Sequence, residues 1–108
     1  MNYSKGEQID EIELLSVEPI FKEVEKIVLD SLGYDMEMLK TKTNSKGYVY
    51  PRMIFSYLCS QRGLGITIIG KRLNKDHSTI AHYLKNYDSY YKYDKIFKII
   101  ADAIVKDK

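Results

Sequence analysis

The sequence predicts an all-α domain, a bundle of five to seven helices in which two consecutive helices meet at a tight polar corner. Three observations lead there. Apolar residues recur at spacings of three and four, as in Val17, Ile20, Phe21, Val24, Ile27, Val28 and Leu32. No stretch alternates apolar and polar residues with the period of a strand. Helix punctuation stands where the periodicity breaks: Pro19 and Pro51 at expected starts, Gly33, Gly63 and Gly65 at expected stops.

The elements follow in order. Residues 1–16 read as an N-terminal extension with a short helix over 8–16, and residues 17–108 as the folded domain. The main helix is expected to begin near Glu18, because Pro19 suits a first turn whose N–H groups have no helical partner. Asp35 caps one short turn over 35–39. Residues 40–50, KTKTNSKGYVY, lack helical periodicity and read as a basic loop. Pro51 then opens a helix with Ile54, Tyr57, Leu58 and Gln61 on one face. Thr67 caps a short helix that packs Ile68, Ile69 and Leu73. After Asn74 and Lys75, a longer helix starts at Asp76 or His77 with Ile80, Tyr83, Leu84 and Tyr87 inside. Asp94 caps the last helix, with Ile96, Phe97, Ile99, Ile100, Ala103 and Ile104 inside.

The 108 residues suit one domain, and 44% apolar with 30% charged residues is ordinary for a globular protein. No apolar run approaches a membrane span, and the acidic start MNYSKGEQIDEIELL is no secretory leader. Cys59 is the single cysteine, which excludes an internal disulfide and a thiolate-rich zinc site; a buried structural thiol is its expected role. A reducing cytoplasm is the expected setting. The net charge of +2 hides an asymmetry: residues 1–39 hold three Lys/Arg against ten Asp/Glu, whereas residues 40–98 hold twelve against three. Such a split suits a basic working face, or a lysine-rich solvated one. Eight of the ten tyrosines lie between Tyr48 and Tyr93, where they suit phosphate contacts or half-buried packing equally.

The polar corner Asn74-Lys75-Asp76-His77-Ser78-Thr79 is the densest chemistry in the chain. A short helix, a tight turn and a longer helix match a helix-turn-helix, in which the second helix presents its first residues to base edges in the DNA major groove. Asp76 can accept from a cytosine amino group, and His77 can donate to a purine. Ser78 and Thr79 can meet a base or a phosphate. Lys71, Arg72 and Lys75 precede the helix N-terminus, itself a phosphate attractor. Each of these residues also has a structural reading; Asp76 or Ser78 can simply cap the helix. His77 and His82 are five apart and do not form the i, i+4 pair of a zinc helix, so no metal is expected. His77 and Ser78 are adjacent and point apart, and there is no nucleophile elbow, so no catalytic residue is expected. No phosphate-cradling glycine loop and no cofactor motif is present.

Lys75-Asp76-His77-Ser78-Thr79-Ile80 followed by His82 resembles the signature of the C-terminal DNA-binding domain of the bacterial replication initiator DnaA, a Trp-repressor-like helix-turn-helix. Ile69-Gly70, Pro51-Arg52 with Ile54 and Tyr57-Leu58, and Leu39-Lys40-Thr41-Lys42 extend the likeness over about residues 17–106. The resemblance implies base contacts from Asp76, His77, Ser78 and Thr79. It implies backbone or minor-groove contacts from Arg52, Lys71, Arg72, Lys75, Lys42, Asn44 and Lys46. Lys75 stands where the family has arginine, and the loop has no arginine for the minor groove, so contacts there differ from the family's.

The resemblance further implies sequence-specific binding of double-stranded DNA, as in recognition of the DnaA box at a replication origin, without the ATPase motor and without enzymatic activity. Such a domain standing alone suits a phage, plasmid or other mobile element. A monomer is the expected state, with host replication proteins as further partners and no membrane. Two other readings stand beside this one: a dimeric Trp-repressor-like transcriptional regulator, and a protein-interaction module that does not bind DNA.

Overall fold

The computed structural model describes residues 11–105, and among them six helices and no strand. These are α1 (Glu11–Leu32), α2 (Met36–Leu39), α3 (Lys46–Gln61), α4 (Ile66–Leu73), α5 (His77–Tyr93) and α6 (Lys95–Val105). The all-α expectation holds.

Helix α3 is the axis of the bundle and touches each of the other five helices. Its residues Tyr50 to Ser56 are buried without interruption. A helix surrounded on all sides needs no polar stripe, which is why the sequence showed only a weak face there. Around it lie Phe21, Val24 and Val28 of α1, Ile69 and Leu73 of α4, Ile80 and Tyr83 of α5, and Phe97, Ala101 and Ile104 of α6. Aromatic rings fill the seam. Phe21 stacks on Phe55 at 6.2 Å, Tyr57 on Tyr87 at 3.8 Å, and Phe97 meets Tyr50 edge-on at 5.2 Å. Cys59 is buried, and burial pushes its thiol up to about 12, so it serves as a small apolar side chain.

Several boundaries differ from expectation, each for a physical reason. Helix α1 does not break near Glu18; it is continuous from Glu11, with Pro19 inside. Leu15, whose carbonyl has no N–H at Pro19 to accept from, is an exposed residue. Of the short helix expected at 8–16, residues 8–10 lie outside the described residues, and 11–16 belong to α1. Helix α3 starts at Lys46 rather than Pro51, and Tyr48, Val49 and Tyr50 are helical, not loop. The Ser45 carbonyl anchors that first turn, accepting from Tyr48 N at 3.0 Å and Val49 N at 2.9 Å. Gly65, not Thr67, precedes the first residue of α4. In α6 the buried set is Phe97, Ala101 and Ile104, whereas Ile96, Ile99 and Ala103 face solvent. Lys95 and Lys98 mark a polar side, but Ile96, Ile99 and Ala103 are exposed with them, so the apolar arc is wider than the buried face.

Three caps fall where the sequence put them. Asp35 accepts from Met38 N at 3.0 Å, Asp94 from Phe97 N at 3.0 Å, and Asp76 from Ser78 N at 3.1 Å. Gly33 closes α1 at φ +78°, a conformation in which any other side chain is strained.

The α4–α5 corner is tight. Asn74 takes the left-handed conformation (φ 62°, ψ 41°), and Lys75 N donates to Gly70 O at 2.8 Å. Gly70 is required by proximity: a Cβ there would lie 2.7 Å from the carbonyl oxygen of Lys75. Gly70→Ala must therefore push the turn off α4. We expect it to destabilise the domain by about 1–3 kcal/mol, measured by urea unfolding, whereas Gly65→Ala, where a Cβ meets nothing within 4 Å, should not cause steric strain.

Candidate nucleic-acid interface

Asp76, extended at φ −70° and ψ 149°, ends the turn and starts α5. Its Oδ2 accepts from both the backbone N–H and the hydroxyl of Ser78. These bonds hold the Asp76 carboxyl below the usual carboxylate range. The same carboxylate remains largely exposed, and its Oδ1 lies 3.8 Å from His77 Nδ1. One oxygen thus caps the helix while the other lies beside His77. His77 is half exposed, Ser78 is exposed, and Thr79 is half-buried with its N–H on the Asp76 carbonyl at 3.0 Å.

Beyond this turn α5 shows solvent a continuous stripe: Ser78, Ala81, His82, Lys85 and Ser89 are all exposed. Asn86, half-buried beside the stripe, donates to the His82 carbonyl at 2.9 Å and sits 3.2 Å from His82 Nδ1. The opposite face of α5 buries Ile80, Tyr83 and Tyr87. The helix is thus half embedded and half presented.

The loop 40–45 lies against the same corner. Lys75 Nζ donates to the Thr41 carbonyl at 2.8 Å, which brings the loop beside the start of α5. Lys42 and Asn44 on the loop are exposed, as are Lys46 at the start of α3 and Lys71 on α4. Among the described residues no group of three or more His, Cys, Asp or Glu could hold a metal ion, and no helix is long and apolar enough to cross a membrane.

The family model described as the bacterial dnaA protein helix-turn-helix matches residues 21–86, from the middle of α1 into α5. This chain belongs to the bacterial DnaA helix-turn-helix family. It is similar to the chromosomal replication initiator protein DnaA of Lachnoclostridium phytofermentans, 38% identical over 83 residues, which are 75% of this chain and 18% of that protein. The DnaA of Flavobacterium psychrophilum is 29% identical over 85 residues, 77% of this chain and 18% of that protein. The chain therefore spans under a fifth of the length of these curated relatives. No solved structure matches it.

The DnaA-type fold sorts the basic residues that the sequence had grouped together. Arg52 is a correction: it is fully buried in α3, not a surface clamp. Its Nε donates to Leu39 O at 2.7 Å, and its Nη2 donates to Thr41 O at 2.6 Å and Thr41 Oγ1 at 3.1 Å. It satisfies carbonyls left open at the end of α2. Arg72 is a second correction. It reaches back to α1, with Nη1 2.9 Å from Glu18 Oε1 and Nε 2.6 Å from Glu25 Oε2, and lies 4.8 Å over the Phe21 ring. Lys75 is held at Thr41. Lys71, Lys42, Asn44 and Lys46 are exposed at the surface, and so are His77 and Ser78, the latter with its hydroxyl bonded to Asp76.

The contact residues expected from the sequence end at Thr79; His82, noted only as part of the motif, and Lys85 are exposed on the same face of α5. Their offsets of four and seven from Ser78 were the available signal.

The Arg72 bond holds the Glu18 carboxyl below its usual value. A depressed carboxylate contributes stability that is present above its unfolded-state pKa and is lost as the pH falls through the lower folded-state value. Glu18→Gln should therefore cost stability at neutral pH and match the wild type in acid below the folded-state value. The neutral-pH cost should be small, about 0.2–1 kcal/mol, because Glu18 is partly exposed. Thermal unfolding of both proteins across pH 2–7 checks this.

Proposed function

We propose that this chain binds double-stranded DNA sequence-specifically, placing the start of α5 in the major groove at a DnaA-box type of site. The observation that carries the reading is the half-embedded α5, whose exposed His77 and Ser78 start at the corner that exposed Lys71 of α4 leads into and to which the loop carrying exposed Lys42 is tied. A buried face fixes such a helix rigidly, and an exposed N-terminus offers base-reading groups next to cations that meet phosphate. Membership of a DNA-binding helix-turn-helix family supports the same reading.

In this reading His77 and Ser78 bond base edges. Oδ1 of Asp76 accepts from a base amino group while Oδ2 keeps its cap, and Thr79 meets a phosphate or a base methyl. His82 and Lys85 extend the contact along the groove. Lys71 meets the backbone, and Lys42, Asn44 and Lys46 approach the neighbouring groove. The domain marks a site and performs no chemistry. Recognition of a replication origin, in the host or on a mobile element, is the process this binding would serve.

Fluorescence anisotropy tests it, with a duplex carrying a DnaA box against a scrambled duplex over a salt series. Preference for the box that persists as salt rises is the expected result. Equal, steeply salt-dependent binding to both duplexes would leave only a basic surface. His77→Ala should lose about 1–3 kcal/mol on the box and little on scrambled DNA. Lys71→Ala should weaken both duplexes alike and reduce the salt slope by about one.

A further inference from the structure

Two cationic side chains converge on one peptide oxygen. The Thr41 carbonyl accepts from Arg52 Nη2 at 2.6 Å and from Lys75 Nζ at 2.8 Å. The Thr41 hydroxyl accepts from the same guanidinium at 3.1 Å and donates to Met38 O at 3.0 Å. Thr41 is thus pinned from α2, from α3 and from the corner. Lys75 directly precedes Asp76, the cap of α5, and its own N–H is tied to Gly70. A chain of hydrogen bonds therefore joins Thr41, next to the exposed Lys42, to the residue that precedes the cap of α5.

Lys75 is poorly placed to serve as a free phosphate clamp. It is half-buried, and its ammonium is already engaged. Burial holds that ammonium below the usual lysine value, and the positive charges of Arg52 and Lys42 act in the same direction. A flexible surface lysine shows none of these features.

We propose that Lys75 is a positioning residue: through the Thr41 carbonyl it sets where loop 40–45 stands relative to the start of α5, so that loop and helix meet adjacent grooves as one rigid unit. The proposal builds on the DNA-binding reading, but its structural core holds in the free protein and is tested there first.

The variant is Lys75→Met, which keeps the apolar stem and removes the donor. In the free protein, amide NMR should show the signals of Lys42–Ser45 shifted and their hydrogen exchange accelerated, with those of α1 and α6 unmoved. Lys75→Arg, which keeps a donor, should restore the loop signals. On box DNA, Lys75→Met should retain the wild-type salt slope while losing hydroxyl-radical protection on the loop side, and His77-dependent preference for the box should remain. Unchanged loop amides in Lys75→Met would overturn the proposal, whatever DNA does. A salt slope lowered by about one, with protection lost evenly, would overturn it in favour of a direct phosphate contact. Absence of DNA binding by the wild type would sink the functional reading and leave the amide result to decide the loop's tether.

Discussion

The burial of Arg52 is the constraint on which the working end of the molecule depends. A guanidinium in the middle of a buried helix needs acceptors for its donors; Nε and Nη2 of Arg52 have them, while Nη1 is buried with no hydrogen-bond partner among the described residues. The acceptors here are not a carboxylate but the carbonyls of Leu39 and Thr41, so the chain after α2 must wrap over α3 to bring them in. That wrap fixes the path of loop 40–45. The same Thr41 carbonyl then receives Lys75 from the helix-turn-helix. One buried charge thereby organises α2, the basic loop and the corner around a common point.

A second constraint fixes the other side of the motif. The acidic N-terminal third is not merely a solvated remainder. Glu18 and Glu25 of α1 take Arg72 of α4, and Glu23 lies 3.3 Å from Arg62 after α3. The charge asymmetry is therefore partly internal, with acidic α1 holding the first helix of the motif. Subtracting these arginines leaves a positive surface composed mainly of lysines, with Lys42 on the loop and Lys71 on α4 near the corner and Lys85, Lys92, Lys95 and Lys98 along α5 and α6. Lysine is a strongly hydrated, mobile point charge suited to phosphate, while the planar arginine fork suits bidentate carboxylates and converging carbonyls. The division of labour between the two residue types follows their chemistry.

Legibility varied by element. Helices α1, α4 and α5 were readable because each has one buried and one exposed face, which imprints a period on the sequence. Helix α3 was readable from Pro51 onward; its first turn, with exposed Lys46 and Gly47 and half-buried Tyr48 and Val49, carries no apolar period to mark the start. The apolar residues of α6 were legible as a helix, but their arc is wider than its buried face. At the corner, Asp76 as cap and His77 and Ser78 as presented groups follow from local spacing. The fates of Arg52 and Arg72 do not, because their partners lie 11 to 54 residues away.

By itself the sequence determined the helical class, the place of the turn and the residue types offered at it. Those depend on interactions within about four residues: periodicity, caps, and glycine at Gly70, where the backbones of α4 and the turn nearly touch. Tertiary structure alone decided which cations face outward. Lys71 and Arg72 are adjacent cations in the sequence, yet packing against α1 turns Arg72 inward and leaves Lys71 exposed. Burial and long-range pairing are properties of the assembled bundle, and the surface that remains for a partner is what they leave over.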